Sequence, residues 1–282
     1  MGRFWCLFFL LWPIIAIGWC LAAPSMGWWF FTPAMSPIGE EIDGLFYLIL
    51  GIVTLTYVGT QVALVYVVWR FSGAKAERGW FFHGSHNLEV IWTIVPAGVL
   101  LFISLYQMDV WARYRIKKNF NKEAMMHPLA EVTARQFEWR IRYPSPSRHF
   151  KSQKDVDEWL AHPQPDDLHT VNELHSPSGR PVVIHLRTED VLHSFYLPDL
   201  RVKQDAVPGL VIPVWFEASD SKKYDLVCAE LCGWGHYKMR GRLTAESDGD
   251  FARYLEELKA HQFDDGVPAA KEGEKNSSGE DK

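Results

Sequence analysis

Uncharged apolar runs dominate the first third of the chain. Residues 45–69 and 90–108 contain no charged side chain, and a helix needs about 20 apolar residues to cross a bilayer. The two runs therefore predict a hairpin of membrane-spanning helices. The segment between them is basic, with Arg70, Lys75 and Arg78. Because basic loops favour the cytoplasmic side, the chain beyond residue 108 is expected on the outer face.

A third apolar run lies at the N-terminus. Residues 4–31 carry no charge and follow Arg3, which suits a further membrane span. The same run fits a signal peptide, with one basic residue, an apolar core and Leu21-Ala22-Ala23 as a weak cleavage site. The sequence leaves both interpretations open.

Beyond residue 118 apolar and polar residues alternate, as they do in half-buried β-strands. Residues 182–187, 211–218 and 224–228 are three such segments. Pro213 fits an edge strand or a bulge, because proline has no N–H to donate to a neighbouring strand. Several short strands separated by turns predict an all-β barrel or sandwich.

Residues 131–143 are interpreted as one further strand, in which Trp139 faces the core. Val132 and Ala134 fall on the opposite parity to Trp139, which predicts a bulge near residues 135–136.

Residues 144–169 are interpreted as a surface insert with one short helix at residues 155–161. Three histidines in and just beyond the insert could suggest a second metal, but solvated loop positions are the favoured interpretation. These histidines are His162, His169 and His175.

A helix and a polar tail are predicted at the C-terminal end. Apolar residues recur there at helical spacing, namely Phe251, Tyr254, Leu255 and Leu258. From about residue 262 the chain is polar and patternless, which is typical of disorder. The predicted division is a signal peptide or extra span (1–31), a helical hairpin (32–118), a β-domain (119–261) and a disordered tail (262–282).

Composition agrees with a membrane protein. The 13 tryptophans and 17 phenylalanines concentrate in the first hundred or so residues, where the apolar runs lie. The net charge of −5 lacks the basic excess of a nucleic-acid-binding protein, so a nucleic-acid partner is not expected.

The candidate chemistry lies in residues 228–239, Cys-Ala-Glu-Leu-Cys-Gly-Trp-Gly-His-Tyr-Lys-Met. An isolated Cys-x-x-x-Cys fits a disulfide, a redox pair or half of a zinc site. His236 and Met239 favour a metal, and sulfur ligands together with imidazole favour copper. His193, which follows the strand at residues 182–187, is the candidate for a second imidazole.

The motif Cys228-x-Glu230-x-Cys232-x-x-x-His236-x-x-Met239 resembles subunit II of haem-copper cytochrome c oxidases. Two upstream motifs, Asp190-Val-Leu-His193-Ser-Phe and Lys203-Gln-Asp205-Ala-Val-Pro208-Gly209, carry the same resemblance. It runs from about residue 36 to about residue 244. The resemblance implies a transmembrane helical hairpin followed by a cupredoxin-like β-barrel or sandwich, which holds a dinuclear copper centre, CuA.

The resemblance also implies the ligands of this centre. They are Cys228 and Cys232 as bridges, His193 and Met239 on one copper, and His236 with the Glu230 backbone carbonyl on the other. The Glu230 side chain is implied to bind magnesium or manganese at the boundary with subunit I. Asp190 is expected to support the ligands through hydrogen bonding.

The implied protein is the electron-accepting subunit of an aerobic respiratory cytochrome c oxidase. CuA takes electrons from a c-type cytochrome and passes them to haem in subunit I, which also holds CuB and reduces oxygen to water with proton pumping. The implied location is the bacterial plasma membrane, with several spans and a periplasmic copper domain. Glu89, at the start of the second span, is implied to mark a proton entrance shared with subunit I.

One position departs from the family pattern. The family typically has Gln-Trp-x-Trp where this chain has Gln136-Phe137-Glu138-Trp139. The tryptophan that receives electrons from cytochrome c in the family corresponds to Phe137, so the sequence does not identify the electron-accepting side chain.

Other classes explain less of the chain. A copper-delivery or thiol-redox protein would use Cys228 and Cys232, but it leaves Met239, the His193 motif and the helical hairpin unexplained. Nitrous oxide reductase shares CuA but needs a large additional catalytic domain. Quinol-oxidising relatives keep the fold and lack the copper ligands.

Overall fold

A computed structural model describes residues 2–26, 32–71, 81 and 83–262. The chain divides into two compact units, one made of the apolar helices and the other of residues 34–40 with the chain from Arg113 onward. Lys75, Arg78 and the predicted tail beyond residue 262 lie outside the described residues.

Three long helices contain the apolar runs. They are α1 (Gly2–Ala22), α2 (Pro37–Phe71) and α3 (His86–Arg115). Each is long and apolar enough to cross a membrane, and the predicted spans at residues 45–69 and 90–108 lie within α2 and α3. Most of the large apolar side chains in these helices are exposed within the chain, as expected of surfaces that face lipid or neighbouring helices.

The second unit is built from ten described strands. They are β1 (Ala130–Arg135), β2 (Glu138–Tyr143), β3 (Leu168–Val171), β4 (Glu173–Pro177), β5 (Val182–Thr188), β6 (His193–Leu197), β7 (Val202–Ala206), β8 (Ile212–Phe216), β9 (Lys223–Cys228) and β10 (Arg240–Glu246). One sheet has the order β3-β2-β1-β5-β8 and the other the order β4-β10-β9-β6-β7. Pro213 therefore lies on an edge strand, as predicted.

The two sheets enclose one hydrophobic core. Ile141 and Leu186 from the first sheet and Phe195 and Leu226 from the second belong to the same buried cluster. Helix α6 (Asp248–His261) packs its apolar face against that cluster. The predicted fold class, apolar N-terminal helices followed by a β-sandwich with a C-terminal helix, is confirmed.

The prediction of one bulged strand at residues 131–143 is wrong. The chain reverses at Gln136 and Phe137, so β1 and β2 form an antiparallel hairpin. Val132 lies opposite Ile141 in this pair, and directly opposed residues share one face of a sheet. The parity change in the sequence therefore reflects a turn. Trp139 is fully buried, as predicted.

Residues 144–169, which the sequence predicted to be a surface insert, bury some of their apolar side chains in a small core. The short helix exists as α5 (Gln153–Ala161), two residues longer at its start than predicted. It buries Val156 and Trp159 in a small cluster of its own. Ser152 caps the helix and forms a capping box with Asp155, which satisfies two N-terminal backbone donors. A further short helix, α4 (Lys122–Met126), precedes β1.

The loop assignment of His169 and His175 is wrong, because both lie in strands. His169 belongs to β3. His175, in β4, stacks on the Tyr254 ring with centroids 3.5 Å apart, and its Nδ1 lies 2.8 Å from Glu246 Oε1. Packing against α6 leaves the His175 side chain only 17% exposed. His162 is exposed, as predicted.

Candidate metal centre

Three neighbouring strands position the predicted ligands. His193 is the first residue of β6, Cys228 is the last residue of β9, and Met239 directly precedes β10. The order β10-β9-β6 brings these strand ends together. Residues 229–239 form the metal-site loop, which is closed at its base by the Cys228 N–H donating to the Met239 carbonyl at 3.2 Å.

The predicted side-chain ligands converge. The two sulfur atoms of Cys228 and Cys232 are 3.9 Å apart. His193 Nδ1 lies 3.8 Å from Cys228 Sγ, and His236 Nδ1 lies 3.7 Å from Cys232 Sγ. Met239 Sδ is 3.9 Å from Cys232 Sγ. Because metal–thiolate bonds are about 2.3 Å long, one ion can contact both thiolates.

The backbone carbonyl of Glu230 lies in the same place. Its oxygen is 3.2 Å from Cys228 Sγ, whereas the Glu230 side chain is partly exposed. The structure therefore brings together all six groups that were predicted as ligands from the sequence, five side chains and this one backbone carbonyl.

Glycine gives the metal-site loop its shape. Gly233 has φ +133°, a backbone conformation that L side chains rarely adopt. A Cβ on Gly235 would lie 2.5 Å from a ring atom of Phe137, so the phenyl ring rests directly on the loop backbone. The neighbouring Gln136 side-chain amide donates to the Cys232 carbonyl. The tip of the β1–β2 hairpin thus supports the loop that carries the thiols.

Asp190 orients His193. Its Oδ1 lies 2.8 Å from His193 Nε2, which leaves Nδ1 directed towards Cys228. Burial alone would raise the pKa of the Asp190 carboxyl, but hydrogen bonds from the Gln136 N–H, the His193 ring and the Val191 N–H outweigh it and hold the pKa at about 2. The carboxylate is therefore ionised and accepts from the imidazole, an arrangement typical of metal-binding histidines.

The two thiols of the site differ in acidity. Burial raises the pKa of Cys228, but the His193 ring and backbone N–H groups stabilise its thiolate and lower the pKa to about 6. Burial and the negative charge of Cys228 raise the pKa of Cys232. A second thiolate is thus unfavourable until a cation offsets the repulsion.

The donor set fits copper. Two thiolates, two imidazoles and a thioether are soft or intermediate ligands, which suit copper better than magnesium or calcium. Within the described residues, His193, Cys228 and Cys232 are the one group of three potential Cys, His, Asp or Glu ligands whose donor atoms lie within 4.8 Å of one another. His162, His169 and His175 form no such group there.

Gln136 is a site residue that the sequence did not single out. It lies 96 residues before Cys232, and only the hairpin turn brings it there. Glu89, in contrast, belongs to the first turn of α3 and is exposed within the chain, where a carboxylate interacts favourably with the helix dipole.

Comparison with known proteins gives consistent matches. The family model described as cytochrome c oxidase subunit II, transmembrane domain, matches residues 24–110, and that described as cytochrome c oxidase subunit II, periplasmic domain, matches residues 130–244. Helix α1, which ends at Ala22, precedes both matches.

Individual relatives agree. The chain is 30% identical to the alternative cytochrome c oxidase subunit 2 of Bradyrhizobium diazoefficiens, over 87% of this chain and 90% of the relative. It is 28% identical to cytochrome c oxidase subunit 2 of Cereibacter sphaeroides, over 86% and 84%. A solved periplasmic domain of subunit II of cytochrome oxidase from Bradyrhizobium japonicum is 24% identical, covers 46% of this chain and 92% of that chain, and has a TM-score of 0.38.

Proposed function

The chain belongs to the cytochrome c oxidase subunit II family, and from that premise we propose that it accepts electrons from a c-type cytochrome at a dinuclear copper centre. It is a subunit of a haem-copper oxidase and a membrane protein with an outer-face domain. The proposed recipient of the electrons is haem in subunit I, where oxygen reduction is coupled to proton pumping.

The convergence of six ligand groups at the ends of β6, β9 and β10 supports this proposal most strongly. Cys228 and Cys232 would bridge two coppers. The bound pair would supply a one-electron carrier. Because the donor atoms are already assembled, the protein would need little rearrangement to hold the metals.

The remaining ligands would distinguish the two coppers. His193 and Met239 would hold one, and His236 with the Glu230 carbonyl would hold the other. The thioether is a weak ligand, and the chain can tune the reduction potential through it. Asp190 would keep His193 in the required tautomer and orientation, since its carboxylate occupies Nε2.

Two further roles are proposed from the family. The Glu230 side chain would bind magnesium or manganese at the boundary with subunit I. Glu89 would collect protons at the cytoplasmic end of α3 and pass them towards subunit I. On this proposal the chain would lie in the bacterial plasma membrane, with several spans and the β-domain on the periplasmic side.

A copper-delivery or thiol-redox function is not favoured. It would use the two thiols, but it gives no role to Met239, which is 1% exposed and directs its sulfur to Cys232.

The test is the metal content and the spectrum of the purified oxidase that contains this chain. We expect two coppers bound to this chain, with an electron paramagnetic resonance pattern of one electron shared by two nuclei. Cys228→Ser and Cys232→Ser should each abolish the pattern, because each thiolate would contact both metals. One copper with a single-nucleus pattern would refute the dinuclear centre, and stable zinc in preference to copper would refute copper binding altogether.

A further inference from the structure

Two large aromatic side chains of the metal-site loop lie on the protein surface. Trp234 is 79% exposed and Tyr237 is 72% exposed. Exposed aromatic residues of this size are uncommon on soluble surfaces and are enriched where partners bind. Both follow Cys232 closely in the chain, so a partner that covers them reaches the candidate metal centre.

Trp234 also has a direct connection to the interior. Its ring packs edge-on against Phe137, with centroids 5.2 Å apart and the planes at 69°. Phe137 rests on Gly235, and the adjacent Gln136 donates to the Cys232 carbonyl. Trp234 therefore connects to Cys232 in two ways. It follows Cys232 by two residues in the loop, and its ring contacts Phe137, whose neighbour Gln136 is hydrogen-bonded to the Cys232 carbonyl.

The same surface carries a positive charge. Lys238 Nζ lies 5.7 Å from the centroid of the Trp234 ring and 5.5 Å from that of Tyr237, so the ammonium group interacts with both aromatic faces. Among the described residues, no carboxylate lies within ion-pair distance of Lys238. The charge is available to a partner.

We propose that Trp234, Tyr237 and Lys238 form the docking surface for the electron donor and that the Trp234 indole receives the electron. The partner is a c-type haem protein whose haem edge lies in an apolar patch bordered by carboxylates. This inference rests on the proposed function, because it requires a redox centre at Cys228 and Cys232.

The chemistry is a single electron transfer. The ferrous haem iron of the donor would become ferric, and a metal centre held by Cys228 and Cys232 would gain that electron, with no bond formed or broken. Tunnelling rates fall steeply with distance, so an exposed aromatic group that packs towards the metal-site loop shortens the path from a donor. Trp234 is such a group, because it lies two residues after Cys232 and its ring packs on Phe137, which contacts the loop backbone at Gly235.

The assay uses the assembled oxidase and two soluble monohaem c-type cytochromes, one acidic and one basic. Dissociation constants come from binding titrations, and stopped-flow spectroscopy gives the rate at which each reduced cytochrome reduces the copper centre. Hexaammineruthenium(II), a small reductant that needs no protein docking, is the reference. Leu231→Ala is the matched control, because Leu231 is 75% exposed on the same loop.

Trp234→Leu should lower the rate with the acidic cytochrome by about tenfold or more, the scale of a central aromatic contact. Trp234→Phe should retain most of the rate. Neither variant should alter the copper spectrum or reduction by hexaammineruthenium(II). Lys238→Glu should weaken binding of the acidic cytochrome and strengthen binding of the basic one, and both effects should shrink as salt screens the charge.

An effect of Trp234→Leu no larger than that of Leu231→Ala would overturn the proposal. So would an indole that is shielded from an added fluorescence quencher in the assembled oxidase, because subunit I would then cover it. Unchanged cytochrome preference in Lys238→Glu would overturn the choice of an acidic donor. A missing dinuclear copper signal in the unmodified protein would instead refute the proposed function itself.

Discussion

The ion-pair network around Arg142 tests how residues 144–169 are held against the sheet of the β-domain. The Arg142 guanidinium donates to Glu131 Oε2 at 2.6 Å and to Asp167 Oδ2 at 2.7 Å, and it reaches the Trp159 carbonyl at 3.1 Å. The side chains of Arg142 and Glu131 are each 6% exposed and that of Asp167 is fully buried. One arginine thus links β2, α5 and the segment before β3.

Arg142→Met should strongly destabilise the β-domain. Removing one member of a buried ion pair costs about 3–5 kcal/mol, because the remaining charges stay desolvated. Here Arg187 still contacts Glu131 at 2.9 Å and Trp159 Nε1 still donates to Asp167 at 3.0 Å. We therefore expect Arg142→Met to lower the free energy of unfolding by about 3 kcal/mol, the lower end of the range for a buried ion pair. The total for a folded domain is typically about 5–15 kcal/mol.

Arg140→Met is the matched control. Arg140 lies on the same strand and pairs with Glu138 at 2.8 Å, but its side chain is 43% exposed. An exposed pair contributes less than about 1 kcal/mol. Urea unfolding of the purified full chain in detergent, followed by tryptophan fluorescence, measures the free energy of unfolding of both variants.

A combined variant separates charge from packing. Arg142→Met together with Glu131→Gln and Asp167→Asn removes the unpaired charges and should recover part of the loss. Equal losses for Arg140→Met and Arg142→Met would refute the network as a source of stability. A triple variant no more stable than Arg142→Met would show that the lost packing of the guanidinium matters more than charge.

Four further predictions concern the metal centre and the proton route. Asp190→Asn should lower copper affinity by about 10- to 100-fold, the usual effect of losing a hydrogen-bond partner of a metal-binding histidine, as measured by competition with a chelator. His193→Ala should destroy the copper spectrum and His175→Ala should leave it unchanged; the reverse result would show that the ligand assignment is wrong. Met239→Leu should leave the circular dichroism unchanged but shift the reduction potential and slow electron transfer, because a weak thioether ligand tunes a copper site. Glu89→Gln should slow oxygen turnover per haem while copper reduction by the donor stays fast, and normal turnover in a fully assembled enzyme would remove the proposed proton role.

The local pattern of apolar and polar residues was sufficient to predict most of the helices and strands. Alternation located the strands at Val182–Thr188 and Lys223–Cys228, and helical spacing located α6. The β1–β2 hairpin was missed because its turn, Gln136-Phe137, lacks the glycine, proline or asparagine that marks most tight turns. The buried positions shift from even to odd numbers after residue 135. A bulge in one strand and a turn between two strands both produce this shift, so the sequence pattern alone does not distinguish them.

Long-range contacts were beyond the reach of local pattern. His175 looked like a loop residue because its stacking partner, Tyr254, lies far along the chain on α6. Gln136 likewise carries no signal for its bond to the Cys232 carbonyl. The ligand positions were predictable because five of them lie within twelve residues and His193 lies in a motif that resembles those of the same family.

The closed base of the metal-site loop makes residues 229–239 a cassette with fixed ends, which the tip of the β1–β2 hairpin supports from outside. One backbone bond between Cys228 and Met239 joins its two ends, and β9 and β10 continue their pairing beneath it. Because the sheet pairing continues beneath the cassette, we expect substitutions at its exposed positions to leave the sheet and His193 undisturbed. The surface over the centre can therefore diversify in evolution, or be exchanged between relatives by grafting, while the scaffold that fixes the ligand spacing stays the same.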